Sequence, residues 1–171
     1  RQDEGPGTVA VAIVVSDTSP IRALHHLAMV GVLEQLYGRV YLPEAVAQEL
    51  RRPGRRFPAF EPGAYPFLVV ESPRDEARVR SLEEKLDRGE AAALALALEH
   101  NARYVLIDER DGRRIARELG LTVVGVLGIL SEAKGRGLVP AIEPLLRRLQ
   151  RELDFRLTPG LISEVLRQAG E

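Results

Sequence analysis

Residues 9–15 form an unbroken, β-branched-rich apolar run, the pattern of a central strand buried on both faces. The run ends at Ser16-Asp17-Thr18-Ser19-Pro20, where Ser19 is expected to cap, and Pro20 to open, a helix carrying Ile21, Leu24, Leu27 and Ala28. Gly31 interrupts the pattern before Leu33 and Leu36. Residues 39–42 read as a second strand, and Pro43 starts a helix over 44–51 that the Pro53-Gly54 pair stops. After a turn-rich stretch, residues 67–71 read as a third strand, and 74–86 have helical spacing through Ala77, Leu82 and Leu86 until Asp87-Arg88-Gly89 breaks it.

Residues 91–98 contain only alanine and leucine, and a helix apolar all the way round belongs inside a protein. A fourth strand is expected at 104–107, a helix at 111–119 with Gly120 as its stop, and a fifth strand at 121–126. This alternation predicts an α/β fold, a mostly parallel sheet of about five strands wrapped by helices. Residues 129–134, 141–153 and 161–168 read as further helices. The organisation expected is a loose leader over 1–8, one domain over 9–139, and a helical extension over 140–171 packed on that domain.

Length and composition narrow the picture. A chain of 171 residues fits one core, and no apolar run approaches the roughly 20 residues that cross a bilayer. With no cysteine, a disulfide framework and a thiolate zinc site are excluded, and a reducing cytoplasm is the expected location. A net charge of -1 removes any argument from overall positive charge, so contact with nucleic acid must be local. All basic residues except Lys85 and Lys134 are arginines, clustered at Arg51, Arg52, Arg55 and Arg56 and at Arg113-Arg114. Arginine suits bidentate phosphate contact. His25, His26 and His100 have no plausible nucleophile partner and are assigned structural or surface roles.

In open parallel sheets, ligands collect beyond the carboxyl ends of the strands. Asp17 and Asp108 fall there, each just past an apolar strand. Helix capping is the plainer reading of each, weakened because Ser19 and Asp111 stand ready as caps. Glu90 lies in the first turn of the alanine-leucine helix, where the dipole favours a carboxylate, but that helix must be central and its start near the strand-end aspartates. Glu49 sits beside the Val46 and Leu50 stripe, at the border of a buried face. Two such carboxylates about 4 Å apart repel by roughly 4 kcal/mol at an effective dielectric near 20, so a convergent cluster needs a cation. An all-oxygen set selects a hard ion, Mg²⁺ or Mn²⁺, suited to phosphodiester hydrolysis.

Four blocks in order, Val14-Val15-Ser16-Asp17-Thr18-Ser19-Pro20, Leu42-Pro43 through Glu49-Leu50, Leu86-Asp87-Arg88-Gly89-Glu90-Ala91 and Leu106-Ile107-Asp108-Glu109-Arg110, resemble a PIN-domain ribonuclease. A further stretch, Gly125-Val126-Leu127-Gly128 with Ala133-Lys134-Gly135-Arg136-Gly137-Leu138, looks like a prokaryotic branch related to toxin-antitoxin toxins. The resemblance implies a three-layer α/β/α sandwich, a Mg²⁺ or Mn²⁺ site, an RNA substrate, frequent homodimers and a small antitoxin protein as partner. By position it implies catalytic roles for Asp17, Glu49, Glu90 and Asp108. Asp17, Glu90 and Asp108 are the expected metal ligands, with Glu49 and Asp111 behind them and Thr18 and Ser19 in support. Glu90 departs from the aspartate of many relatives. The arginines at 51, 52, 55, 56 and 113 are the expected RNA contacts. A metal-dependent phosphatase would need a second carboxylate where Ser19 stands, and a receiver domain an early acidic pair. The remaining alternative is a catalytically silent PIN-like module that acts through a protein partner.

Overall fold

The β-branched runs pair into one sheet, and in the computed structural model, which describes residues 12–171, all five strands are parallel. They are β1 (Val14–Ser16), β2 (Val40–Leu42), β3 (Leu68–Val70), β4 (Tyr104–Leu106) and β5 (Val123–Val124), in the spatial order β3-β2-β1-β4-β5. The helices are α1 (Thr18–His26), α2 (Val32–Tyr37), α3 (Glu44–Arg51), α4 (Glu76–Glu83), α5 (Arg88–Glu99), α6 (Arg110–Glu118), α7 (Val126–Gly135), α8 (Glu143–Leu153) and α9 (Pro159–Gln168). Strand order reverses at β1, which pairs with β2 on one side and β4 on the other. The crevice beyond the carboxyl ends of β1 and β4 is therefore the switch point where doubly wound folds bind ligands.

Alternating side chains divide the core into two layers. Val14 and Leu106 face α1, α2 and α7, and the C-terminal helices join this layer through Ile142, Leu146, Leu149 and Val165. Val15, Val105 and Ile107 face the opposite layer, built on α5 and α6. The result is an α/β/α sandwich. Every residue of the alanine-leucine segment from 91 to 97 is buried, as an all-apolar helix requires. Its start is fixed by a reciprocal capping box, in which Asp87 Oδ1 accepts from the Glu90 N–H at 2.8 Å and Glu90 Oε2 accepts from the Asp87 N–H at 3.1 Å.

Several boundaries differ from the sequence reading for local reasons. Residues 1–8 and the first part of the 9–15 run lie outside the described residues. The expected 74–86 helix starts late because the Asp75 carboxylate accepts the Arg78 N–H, and α4 buries no residue. The fifth strand is two residues long because α7 begins at Val126, three residues earlier than the expected 129. Gly120 has the positive φ of 81° that a helix-terminating glycine takes. Among the described residues no helix is long and apolar enough to cross a membrane.

Candidate active site

The backbone of Asp17 is pinned in the switch crevice. Its N–H donates to Leu106 O at 2.9 Å across the β1–β4 pair, and Ser16 Oγ donates to its carbonyl at 2.8 Å. Asp17 stands at the N-cap position of α1, yet its side chain makes no capping hydrogen bond, so the carboxylate is not consumed by the helix end. This corrects the assignment of Ser19 as cap. The helix already begins at Thr18, and Ser19 Oγ instead donates to Glu109 Oε1 at 3.3 Å. Asp17 is 3% exposed, and burial pushes its carboxyl up to about 8; the Thr18 amide offsets part of this, while Glu90, Asp87 and Glu49 add to it.

Glu49 and Glu90 approach Asp17 from different helices, and both raise its carboxyl further. Thr18 Oγ1 donates to Glu49 Oε2 at 3.0 Å, which draws an otherwise exposed glutamate from α3 toward α1. The meeting point is Gly89. A Cβ there would lie 3.0 Å from Glu49 Oε2, 3.5 Å from Asp17 Oδ1 and 3.6 Å from Asp87 Oδ1, so the missing side chain leaves a cradle walled by three carboxylates. Glu90 is buried one residue along, with one oxygen in the capping box. Its carboxyl is raised to about 7, first by burial, against the Asp87 amide, and further by Asp87, Glu109 and Asp111.

Asp108 is placed differently. Its Oδ1 accepts the Val126 N–H at 3.0 Å and so serves the start of α7, while Oδ2 is buried without a partner. Burial raises it to about 6, with the Val126 amide and the Arg113 guanidinium pulling downward. Arg113 donates through Nη1 to Ile107 O at 2.9 Å, and both Arg113 Nη1 and Asp108 Oδ1 lie 2.7 Å from the point a Cβ on Gly125 would occupy. Arg113 is thus half-buried beside Asp108, with its guanidinium engaged by the backbone. Asp111 is not the α6 cap, a position held by Glu109; its exposed carboxylate lies 3.9 Å from Arg114.

Among the described residues, no three histidine or acidic side chains are already drawn onto one coordination point. Asp17, Glu49 and Asp87 surround Gly89, while a Glu90 oxygen lies beside Gly112 and an Asp108 oxygen beside Gly125. The residues nonetheless fit a divalent ion: the donors are all oxygen, Asp17 is desolvated without a counter-charge, the Gly89 cradle is open to them, and Asp108 Oδ2 has no partner. The arginine loop is partly spent elsewhere. Arg51 bonds Glu61 and Glu44, each at 3.0 Å, and Arg56 pairs with Asp154, so among the described residues Arg52 and Arg55 are the loop arginines without an ion-pair partner.

Two residues were passed over as site members. From the sequence Asp87 reads as a helix breaker, although Asp-x-x-Glu before an apolar run is a capping-box signature. Glu109 stands in the sequence only as part of a motif, and its contact with Ser19 spans 90 positions, beyond any local signal. No curated protein matches the chain closely enough to count as a relative. A family model described as a PIN domain matches residues 13–171, from β1 through the C-terminal helices. With the five parallel strands and the acidic switch crevice already in place, a match of that extent means that the chain belongs to the PIN-domain family.

Proposed function

We propose that this chain is a divalent-metal-dependent endoribonuclease whose site is the carboxylate cluster at the ends of β1 and β4. One observation carries the reading. Asp17 is a buried carboxyl, raised to about 8, with no capping role and with the carboxylates of Glu90, Asp87 and Glu49 as the charges acting on it, an arrangement that costs stability until a cation joins it. Asp17, Glu49 and Glu90 would hold Mg²⁺ or Mn²⁺, with the unpartnered oxygen of Asp108 completing the set. When bound, such an ion lowers the pKa of water and offsets charge that builds on a scissile phosphate. Thr18 orients Glu49, Ser19 holds Glu109, and Arg52 and Arg55 offer charge to the incoming phosphates.

The finer reading is the toxin half of a toxin-antitoxin pair, working in the cytoplasm as a homodimer and silenced by a small protein antitoxin. It rests on the likeness of residues 125–128 and 133–138 to that branch.

The test is cleavage of labelled RNA with Mn²⁺ by the wild type, Asp17→Asn and Glu90→Gln. Glutamine preserves the capping box, so Glu90→Gln removes charge without unfastening α5. Both variants are expected to lose about a hundredfold or more in rate. Unchanged cleavage in both would remove the site. Wild-type protein that leaves RNA intact but retains a small protein partner in pull-down would instead establish the silent module.

A further inference from the structure

We propose that Arg22 is a positioning residue for this site, fixing Glu49 from behind through the carboxyl end of α3; the inference rests on the metal-dependent reading above. Thr18 and Arg22 are four residues apart on α1 and so share one face of that helix. From that face they hold Glu49 at both ends. Thr18 Oγ1 donates to the carboxylate at 3.0 Å, and Arg22 Nη2 donates to the Glu49 carbonyl at 2.7 Å and to the Arg52 carbonyl at 3.3 Å.

Those carbonyls belong to the last turn of α3 and its C-cap, where orphan acceptors and the negative end of the helix dipole favour a cation. The guanidinium also lies over the Phe57 ring, 5.2 Å from its centroid, so one side chain joins α1, the last turn of α3 and the loop that carries Arg52 and Arg55.

Glu49 is exposed, and an exposed glutamate left to itself samples many rotamers. Its placement as a wall of the Gly89 cradle, with Oε2 3.0 Å from the point a Cβ on Gly89 would occupy, depends on these two grips. Arg22 also leaves Nη1 buried without a partner, a cost that simple helix capping does not account for. A preorganised ligand shell is what such a clamp supplies, because outer partners of metal ligands set the orientation of the donor oxygens.

Mn²⁺ titration calorimetry on the full chain tests this, with RNA cleavage followed separately for kcat and KM. Arg22→Met is expected to weaken Mn²⁺ binding by about tenfold and to lower kcat in proportion. Arg22→Lys, which keeps the charge but loses the planar fork, is expected to fall between it and the wild type. Lys134→Met, which cuts the ion pair to Glu171 at the other end of α7 from Val126, controls for general loosening and is expected to leave Mn²⁺ affinity unchanged. Wild-type affinity in folded Arg22→Met overturns the proposal, as does an equal loss in Lys134→Met. If Arg22→Met does not fold, wild-type affinity in Arg22→Lys overturns it. A wild type that binds no Mn²⁺ removes the metal reading itself and this inference with it, a failure distinct from Mn²⁺ binding that Arg22 does not influence.

Discussion

Replacing Asp17 with asparagine should make the metal-free protein more stable while abolishing its response to metal. Burial pushes the Asp17 carboxyl of the folded state up to about 8, from an ordinary value of 3.8. Between those two values the folded chain holds a proton that the unfolded chain has released, so stability falls as pH rises through that window and levels off above it. At neutral pH about three pH units of the window have been crossed, and at about 1.4 kcal/mol each the cost is on the order of 4 kcal/mol. Asparagine keeps the shape without the charge and gives about 1–3 kcal/mol of that back to its own buried amide, leaving a net gain of about 1–3 kcal/mol. For a chain of this length, that raises Tm by roughly 2–12 °C.

Differential scanning calorimetry in EDTA across an acid-to-alkaline series reads the effect directly. The advantage of the variant should be absent below the unfolded carboxyl pKa and full near pH 8. Saturating Mn²⁺ should then stabilise the wild type alone, by about 2.7 kcal/mol at a hundred times its Kd. Asp17→Asn that is less stable than the wild type in EDTA at pH 8 would refute the reasoning, because the carboxylate would then be a satisfied structural group.

The other expectations follow from the same geometry. Gly89→Ala places a methyl group 3.0 Å from Glu49 Oε2, so Mn²⁺ affinity by calorimetry should drop about tenfold, while the gain of up to about 1 kcal/mol in helix propensity keeps Tm from falling. Gly125→Ala brings a Cβ to 2.7 Å from both Arg113 Nη1 and Asp108 Oδ1, and urea unfolding should show a loss of about 1–3 kcal/mol. Neutralising Arg52 and Arg55 should flatten the salt dependence of RNA binding by about 0.7 per lost phosphate contact, whereas Arg51→Gln, which breaks pairs with Glu44 and Glu61, should leave that slope in place. Mn²⁺ binding should tighten from pH 6 to pH 8, since Asp17 and Glu90, raised to about 8 and about 7, must give up protons to serve as ligands.

The sequence made visible what is periodic or punctuated. The all-apolar 91–98 segment of α5, the strand ends at Asp17 and Asp108, and the stop at Gly120 each follow from a local pattern, and the structure places them accordingly. Strand ends alone brought two acids to the switch crevice, and the first turn of a helix buried from Gly89 to Ala97 brought the third. What stayed hidden was the partner each polar group chooses. Asp108 serves the amide of Val126, 18 positions away, and Arg113 turns inward to Ile107 O because the glycine at 125 leaves room beside Asp108. Arg56 pairs with Asp154 from the C-terminal helices, which no spacing within the arginine cluster announces. Ser19 looked like a cap because Pro20 suits the first helical turn, but the helix opens earlier, at Thr18.

The most direct test of the central claim is the anomalous difference map of crystals soaked in Mn²⁺ at pH 8. A peak between Asp17 and Glu90, with Glu49 or Asp108 as a further ligand and absent from Asp17→Asn crystals, is the predicted result. A map with no peak there, or with manganese only at surface carboxylates such as Glu71 and Glu99, would contradict it.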